Sequence, residues 1–233
     1  MDTGLRGKVV VVTGATANIG RAIAFDMASE GARLLAVGRD VSAGQAVVKE
    51  ARARGASEAI FLAVDLLDAG SGDMIRDRAM AEFGAVDVLV NNVGGNAAMG
   101  PFARSDPSSW TADIDITLMT VLRVTRLVLP VMIERSTGCI INIGSTAGSV
   151  DDYLLAVYSA AKGAVHCFTK VLAKEVGPQG IRVNCVAPYA TASEDPAAYS
   201  SGSRFHPERG FFTRTIPTLS TRPMHRCARE ELS

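Results

Sequence analysis

The stretch KVVVVTGATANIG, residues 8–20, governs how the whole sequence is interpreted. An apolar run with strand character leads into a turn flanked by Gly14 and Gly20, and a helical pattern follows directly. This order presents the free N–H groups and the positive end of a helix to a phosphate. Asn18 stands where a third glycine is usual, and asparagine adopts a left-handed backbone more readily than most residues. The stretch predicts a phosphate-binding turn, with a ligand-free glycine turn as the alternative for this motif alone.

Outward from this turn, short β-branched runs alternate with longer helical patterns. The runs predict strands over residues 8–13, 33–37, 59–64, 86–91, 139–143 and 182–186. The longer patterns predict helices over residues 19–30, 42–54, 71–83, 108–135 and 156–176. Strands that alternate with helices in this way favour an α/β fold, in which a doubly wound parallel sheet is covered by helices on both faces. Such a sheet binds its ligand in a crevice at the carboxyl ends of the strands.

Length and composition indicate a soluble globular protein. A chain of 233 residues is long enough for one domain with a sizeable core. Basic and acidic residues both number 24, so no net field attracts nucleic acid or an anionic membrane. The apolar runs are short, which predicts neither a transmembrane helix nor a signal peptide. Four widely spaced cysteines are typical of free thiols, so we expect a cytoplasmic protein with no metal site.

The end of the second predicted strand bears on cofactor choice. In dinucleotide-binding folds an acidic residue at this place binds the ribose 2′-hydroxyl, whereas a nearby arginine accepts a 2′-phosphate. Gly38 occupies the place here, and Arg39 follows it. The sequence therefore predicts that NADP(H) is preferred and leaves NAD(H) as the alternative. The alternative interpretation is that Arg39 is a solvated loop residue with no role in binding.

Three further residues predict acid–base chemistry. Tyr158 and Lys162 are four apart in a helical pattern and therefore share one helix face. A neighbouring ammonium group is expected to lower the pKa of a phenol from its usual value of about 10, so the phenol can exchange a proton with a carbonyl or alcohol oxygen. Ser145 follows the fifth strand, at the sheet edge where this fold places its chemistry. Its hydroxyl can hold the substrate oxygen beside the phenol.

In their order and spacing, these motifs resemble the short-chain dehydrogenase/reductase family, particularly its 3-oxoacyl-[acyl-carrier-protein] reductase-like members. The resemblance extends from about residue 5 to residue 188 and implies a Rossmann-like sheet with strand order 3-2-1-4-5-6. It rests on Thr13, Gly14 and Gly20 of the turn, Asp65, the run Asn91-Asn92-Val93-Gly94, Ser145, the Tyr158/Lys162 pair, and Arg182-Val183-Asn184 with Pro188.

The resemblance also implies a role for each matched residue. Tyr158 is the general acid/base, Lys162 lowers its pKa and binds the nicotinamide ribose, and Ser145 positions the substrate oxygen. Thr117 stands where the family carries an asparagine that holds a relay water. The implied cofactor-binding residues are Gly14, Asn18, Ile19, Gly20, Arg39, Asp65, Leu66, Asn91, Gly94, Tyr158, Lys162 and Pro188. The substrate is expected to contact Ser145, Tyr153 and Tyr158 within an apolar lining of Met99, Phe102, Val150, Leu154 and Tyr189, and His166 is interpreted as a packing residue.

The chain departs from the family pattern mainly at its C-terminus. The alternation stops after Pro188, and residues 193–233 are rich in Ser, Pro, Arg and Glu without a convincing strand run. We expect a dinucleotide-binding and catalytic domain over residues 1–192, a poorly specified tail over 193–233, and no seventh strand. Tyr189 stands where a glycine is usual. The resemblance further implies a homo-oligomer formed through the two long helices, residues 108–135 and 156–176.

Together these features predict an NAD(P)(H)-dependent oxidoreductase that interconverts a secondary alcohol and a ketone by direct hydride transfer. The small-molecule substrate is expected to be a 3-oxoacyl thioester or a cyclic ketone. The alternative is a non-catalytic nucleotide-binding protein or a degenerate member of the family. The intact set of Ser145, Tyr158 and Lys162 favours the enzyme, whereas Thr117, Tyr189 and the absent strand favour the alternative.

Overall fold

A parallel sheet forms the centre of the computed structural model, which describes residues 3–96, 99–150 and 152–189. Within these ranges the sheet has six strands in the order β3-β2-β1-β4-β5-β6. This confirms the predicted α/β class, the Rossmann-like topology and the strand order. The predicted tail and the predicted absence of a seventh strand concern residues outside the described ranges. The strands are β1 (Val9–Thr13), β2 (Arg33–Gly38), β3 (Glu58–Ala63), β4 (Val88–Asn91), β5 (Gly138–Ile143) and β6 (Ile181–Val186).

Helices cover both faces of the sheet. Helix α2 (Val41–Arg54) shows how the sequence determines both helix ends. At its start the Asp40 carboxylate accepts a hydrogen bond from the Ala43 N–H, and at its end Gly55 takes a φ of 122°. Asp106 caps α4 in the same way. The helices are α1 (Asn18–Ser29), α2 (Val41–Arg54), α3 (Ser71–Phe83), α4 (Pro107–Ile114), α5 (Thr120–Glu134) and α6 (Ala156–Val176).

The apolar run before the phosphate turn is buried on both sides. Val9 and Val11 face the core beneath α3, α5 and α6, whereas Val10 and Val12 face the core beneath α1 and α2. Side chains alternate between the two faces of a strand, so a strand at the centre of a doubly wound sheet must be apolar throughout. The run of four valines meets this requirement and fixes the position of the turn that follows it.

The long helix predicted over residues 108–135 is divided in the structure. One π-helical turn, Asp115–Met119, separates α4 from α5 and carries the buried side chain of Thr117. A π turn inserts one residue into the helical repeat and often occurs at functional sites. Among the described residues, Pro107–Glu134 is the one helical run that is long and apolar enough to span a membrane, which by itself is weak evidence. Its apolar stripe, which includes Val124, Val128 and Met132, lies in the core.

A chain of buried hydrogen bonds ties α5 and α6 to the sheet. The Asn91 amide donates to Thr125 Oγ1 and to Asn142 Oδ1, both at 2.9 Å. The Asn142 amide donates in turn to Thr169 Oγ1 at 2.9 Å, and Thr169 donates to the Val165 carbonyl. Asn91 is one of the predicted cofactor-binding residues, but its side-chain amide is engaged in these buried hydrogen bonds. The chain fixes the helix that carries Tyr158 against β5.

We expect Asn142→Leu to lower the free energy of unfolding by about 2 kcal/mol, because the Asn91 amide and the Thr169 hydroxyl each lose a buried partner. Urea unfolding followed by circular dichroism measures the change. Asn184→Leu is the matched control, since Asn184 is exposed on β6 and its replacement should change stability by less than about 0.5 kcal/mol. Equal losses in the two variants would contradict a role for the buried chain.

Candidate active site

The phosphate turn has the backbone that the sequence predicts. Gly14 has a φ of 65° and Asn18 a φ of 47°, so both take the left-handed conformation. A β-carbon on Gly20 would overlap the carbonyl oxygen of Gly14 and lie 2.9 Å from its carbonyl carbon. Among the described residues no side chain caps the start of α1 at Ala17, and the first turn of that helix has no acidic residue. The turn therefore fits the diphosphate of a dinucleotide.

The end of β4 holds this turn in place through Asn92, which the sequence indicated only as part of the Asn91–Gly94 motif. The Asn92 amide donates to the carbonyl oxygens of Thr13 and Gly14, at 3.1 and 3.2 Å. Its backbone N–H donates to Thr13 Oγ1 at 2.9 Å. Asn92 thus supports the turn from the neighbouring strand. The Asn-Asn pair at the end of an apolar strand was the available signal for it.

The end of β2 brings together the residues expected to select the cofactor. A β-carbon on Gly38 would lie 2.8 Å from Thr16 Cγ2, so Thr16 closes the place of the usual acidic residue. The Arg39 side chain is 73% exposed, and its Nη1 lies 3.5 Å from Asp65 Oδ2. Asp65 also accepts the N–H of Leu67 through Oδ1. Arg39, predicted to accept the 2′-phosphate, and Asp65, also predicted to bind the cofactor, are therefore adjacent.

Two predicted cofactor residues direct their side chains away from this edge. Leu66 is buried in the core beneath α3, and Ile19 packs against the core beneath α1. Leu66 therefore leaves only its backbone to meet a ligand at the sheet edge, whereas the side chain of Ile19 is half-buried.

Ser145 lies just beyond the carboxyl end of β5. Its backbone is extended, with a φ of −163°, and its hydroxyl accepts the Ala147 N–H at 3.2 Å to start the short 3₁₀ turn Thr146–Gly148. The backbone on either side is tied to the segment after β6, because Gly144 N–H donates to the Val186 carbonyl and Thr146 N–H donates to the Pro188 carbonyl. Pro188, one of the predicted cofactor-binding residues, therefore lies beside the serine.

Lys162 is buried, with 4% of its surface exposed, on the face of α6 that meets β5. Its ammonium group donates to the Ile143 carbonyl at 2.7 Å and lies 5.8 Å from the centre of the Tyr158 ring. A β-carbon on Gly94 would lie 3.0 Å from Lys162 Nζ, so the end of β4 also meets this side chain. Burial lowers the pKa of Lys162 to about 8.

The pKa of Tyr158 is raised above its usual value, which is opposite to the direction expected from the sequence. Burial is the largest cause, and the charge of Asp152 adds to it. A hydrogen bond with the Ser145 hydroxyl acts in the other direction. The protonated phenol is therefore the resting form at neutral pH, and it is placed against the serine.

Thr117 holds a loop instead of lying open to a water molecule. Its hydroxyl donates to the Gly95 carbonyl at 2.8 Å and accepts the Gly95 N–H at 3.3 Å. The single proton of the hydroxyl is thus already used. Thr117 was predicted to substitute for the relay asparagine. It instead fixes the loop that follows β4, in which Gly94 lies against the Lys162 side chain.

The residues predicted to line the substrate site belong to the loops after β4, β5 and β6, which form the rim at the carboxyl edge of the sheet. The loops after β4 and β5 are joined by a hydrogen bond from Gly100 N–H to the Leu154 carbonyl. Phe102 stacks on Trp110 with ring centres 5.0 Å apart, and Tyr153 is 81% exposed. Met99, Val150 and Tyr189 are also exposed. The rim is therefore apolar and aromatic.

Within the three described ranges, no group of three or more His, Cys, Asp or Glu residues could hold a metal ion. Cys139, Cys167 and Cys185 are free thiols. These three cysteines form no disulfide with one another.

A family model and several known proteins match this chain. The model for the short chain dehydrogenase family matches residues 8–201. The 3-oxoacyl-[acyl-carrier-protein] reductase of Escherichia coli is 35% identical over 201 residues, which are 85% of this chain and 79% of the relative. The 1,6-dihydroxycyclohexa-2,4-diene-1-carboxylate dehydrogenase of Acinetobacter baylyi is 39% identical over 180 residues, which are 77% and 67% of the two chains.

Solved structures agree with this match. The L-sorbose reductase of Gluconobacter frateurii, in complex with NADPH and L-sorbose, gives a TM-score of 0.80 at 31% identity and covers 84% of this chain and 74% of its own. A xylitol dehydrogenase bound to NAD+ gives a TM-score of 0.76 at 30% identity, with coverage of 79% and 71%. The turn, the Ser145–Tyr158–Lys162 cluster and these matches agree: the chain belongs to the short-chain dehydrogenase/reductase family.

Proposed function

We propose that this protein is an NADP(H)-preferring oxidoreductase that interconverts a secondary alcohol and a ketone, with Tyr158 as the general acid/base. The observation that carries the proposal is the meeting of Ser145, Tyr158 and Lys162 at the carboxyl edge of the sheet that also holds the phosphate turn. Family membership supports oxidoreduction with a nicotinamide cofactor in general. The phosphate preference rests on Gly38, Thr16 and Arg39.

Each part of the site has one task in this proposal. The N–H groups of the turn from Gly14 to Gly20 hold the diphosphate, Arg39 holds the 2′-phosphate, and Lys162 holds the nicotinamide ribose. The cofactor, when bound, supplies or accepts the hydride. Ser145 donates a hydrogen bond to the substrate oxygen and orients it toward the phenol.

Tyr158 carries the proton. In the reductive direction the phenol gives its proton to the carbonyl oxygen, and in the oxidative direction the phenolate takes one from the alcohol. The raised pKa of Tyr158 favours the phenol, which is the form needed for reduction. A positive charge on Lys162 stabilises the phenolate that remains after the proton has left.

The apolar rim supports a hydrophobic or cyclic ketone, or a 3-oxoacyl thioester, as the substrate. Phe102, Tyr153 and Met99 offer apolar surface and no basic group. The relatives act on related groups, since one is named as a 3-oxoacyl reductase and another as a dehydrogenase of a cyclic diol. We also propose a cytoplasmic location and a homo-oligomer formed through α5 and α6.

The test is NADPH oxidation by the purified full chain with a panel of cyclic ketones and 3-oxoacyl thioesters, followed at 340 nm. The proposal expects ketone-dependent turnover of at least one class, faster with NADPH than with NADH. Binding of NADPH by calorimetry without turnover of any ketone, together with no oxidation of the matching alcohols, would favour the non-catalytic nucleotide-binding alternative.

The cofactor preference makes its own prediction. Arg39→Ser should weaken NADPH binding by about 10- to 100-fold, because one charge-assisted contact to the 2′-phosphate is lost. NADH, which lacks that phosphate, should bind within about 3-fold of the original affinity, as its contacts do not involve the guanidinium. Isothermal titration calorimetry measures both constants.

Arg78→Ser is the matched control for Arg39→Ser, because it removes the same charge from an exposed pair with Glu82 on α3. NADPH affinity should not change in that variant. A parallel loss of NADPH and NADH binding in Arg39→Ser would show that Arg39 supports the site generally and does not read the phosphate.

A further inference from the structure

His166 lies behind Ser145, on the helix that carries Tyr158 and Lys162. Its Nε2 faces the Ser145 backbone N–H at 3.5 Å, and its Nδ1 lies 2.9 Å from Ser149 Oγ. One imidazole therefore contacts both ends of the loop over residues 145–149. This is more than the packing role expected from the sequence.

We propose that His166 is a positioning residue that clamps the Ser145 loop onto α6 and so sets Ser145 against Tyr158. The proposal rests on the proposed function, because it assigns His166 a part in that same site. His166 touches neither substrate nor cofactor in this scheme. It acts through the place it gives to Ser145.

Small residues let the loop come close enough to be clamped. A β-carbon on Gly144 would overlap His166 Nε2 and lie 2.6 Å from Cys185 Sγ. A β-carbon on Gly148 would lie 2.7 Å from the Gly163 nitrogen of α6. The glycines at either side of the serine thus bring the loop backbone directly onto the helix and the imidazole. The contact is built by several residues and is not a chance approach of one side chain.

The two contacts of the ring require one particular protonation state. Nε2 must be unprotonated to accept the Ser145 N–H, so Nδ1 carries the proton and donates it to Ser149 Oγ. A doubly protonated ring has no acceptor and would turn an N–H toward the N–H of Ser145. The clamp therefore holds in the neutral ring and is lost when the ring takes up a proton.

The surroundings favour the neutral ring. Burial lowers the pKa of His166, and the charges of Lys162 and Lys170, one turn away on either side of α6, lower it further. The thiol of Cys185 on β6 lies against Gly144, as the His166 ring does. Ser149 of the loop contacts the ring at Nδ1. The clamp is therefore expected to persist well below neutral pH.

The experiment compares His166→Leu with His166→Gln. Leucine fills the space without an acceptor, whereas the glutamine Oε1 can replace Nε2 and does not titrate. His166→Leu should lower kcat about 10-fold, because a displaced serine no longer holds the reacting oxygen in line. His166→Gln should retain kcat within about 3-fold and lose the fall in kcat at acidic pH that protonation of the histidine gives to the unmodified enzyme.

A double substitution separates positioning from general damage. In a Ser145→Ala background, His166→Leu should have no further effect on kcat, because the residue through which His166 acts is already gone. The affinity for NADPH should be the same in all variants. Cys167→Ser, a change at the exposed neighbouring position, controls for disturbance of α6.

Nitrogen-15 NMR of the ring tests the clamp without any turnover. The proton should be on Nδ1 in the unmodified full chain at neutral pH, and the Ser145→Ala variant should keep it there. A proton on Nε2, or an equal loss of kcat from His166→Leu in both backgrounds, would overturn the proposal. If no ketone is turned over by the unmodified chain, the proposed function fails, while the ring measurement still decides on the clamp.

Discussion

Tyr158→Phe should lower ketone-dependent NADPH oxidation by about 10³-fold, because the substitution removes the proton that the carbonyl oxygen must receive. The aromatic ring remains and keeps its contact with the Lys162 ammonium, 5.8 Å from the ring centre. We therefore expect the dissociation constant for NADPH to stay within about 3-fold of the original value, since binding does not use the hydroxyl oxygen as an acid. The loss should appear in kcat.

Tyr153→Phe is the control that matches this change atom for atom. Tyr153 is 81% exposed at the rim, so its hydroxyl is available to solvent and to substrate but has no place in the proton transfer. Turnover in that variant should fall by less than about 5-fold, as expected for a contact that binds ground state and transition state alike. Undiminished turnover in Tyr158→Phe would mean that another group supplies the proton and that the assigned mechanism is wrong.

Gly20→Ala should destroy the phosphate turn. The added β-carbon would overlap the Gly14 carbonyl oxygen and also approach the Asn92 amide that holds the turn. Neither group can move freely, because Gly14 lies in a turn with a φ of 65° and its carbonyl accepts a hydrogen bond from the Asn92 amide. We expect the free energy of unfolding to fall by about 3 kcal/mol, which is a large share of a domain's total of about 5–15 kcal/mol.

The loss of cofactor binding is the second part of this prediction. NADPH at about a hundred times its dissociation constant should add about 2.7 kcal/mol of stability to the unmodified chain and almost none to Gly20→Ala. Thermal unfolding with and without NADPH measures both effects. Gly70→Ala is the control, because in the described part of the chain nothing lies within 4 Å of the new β-carbon and the backbone there has a φ of −88°. A variant at Gly20 that still gains stability from NADPH would contradict the assigned turn.

Sequence periodicity was sufficient for the α/β class and the positions of the strands, whereas the strand order was implied by the family resemblance. The valine run of β1 and the glycines after it place the central strand and the turn, and right-handed crossovers then leave few ways to order the other strands. Each strand was located to within about two residues, which is the usual uncertainty of element ends. The end of α3 at Gly84 was predictable in the same way, because a glycine readily takes the left-handed backbone, with a φ of 72°, that ends the helix there.

The site was predictable only in its outline. The pairing of Tyr158 with Lys162 follows from helical spacing, but the direction of the phenol's pKa depends on burial, which one sequence does not display. The π turn at Thr117 and the contact of that hydroxyl with Gly95 depend on how α5 packs against the sheet. His166 was interpreted as packing from its place on the helix of Tyr158, because its contact with Ser149, 17 residues away in the chain, depends on the tertiary structure.

The close fit of Thr16 against Gly38 has a consequence for how cofactor choice can change over time. A carboxylate at position 38 would favour the unphosphorylated cofactor, yet the β-carbon that must carry it has no room while a threonine methyl lies 2.8 Å away. The change Gly38→Asp then forces the Thr16 side chain to move when it comes first, and meets less resistance after a smaller residue has replaced Thr16. Positions 16 and 38 are thereby coupled in the choice of cofactor.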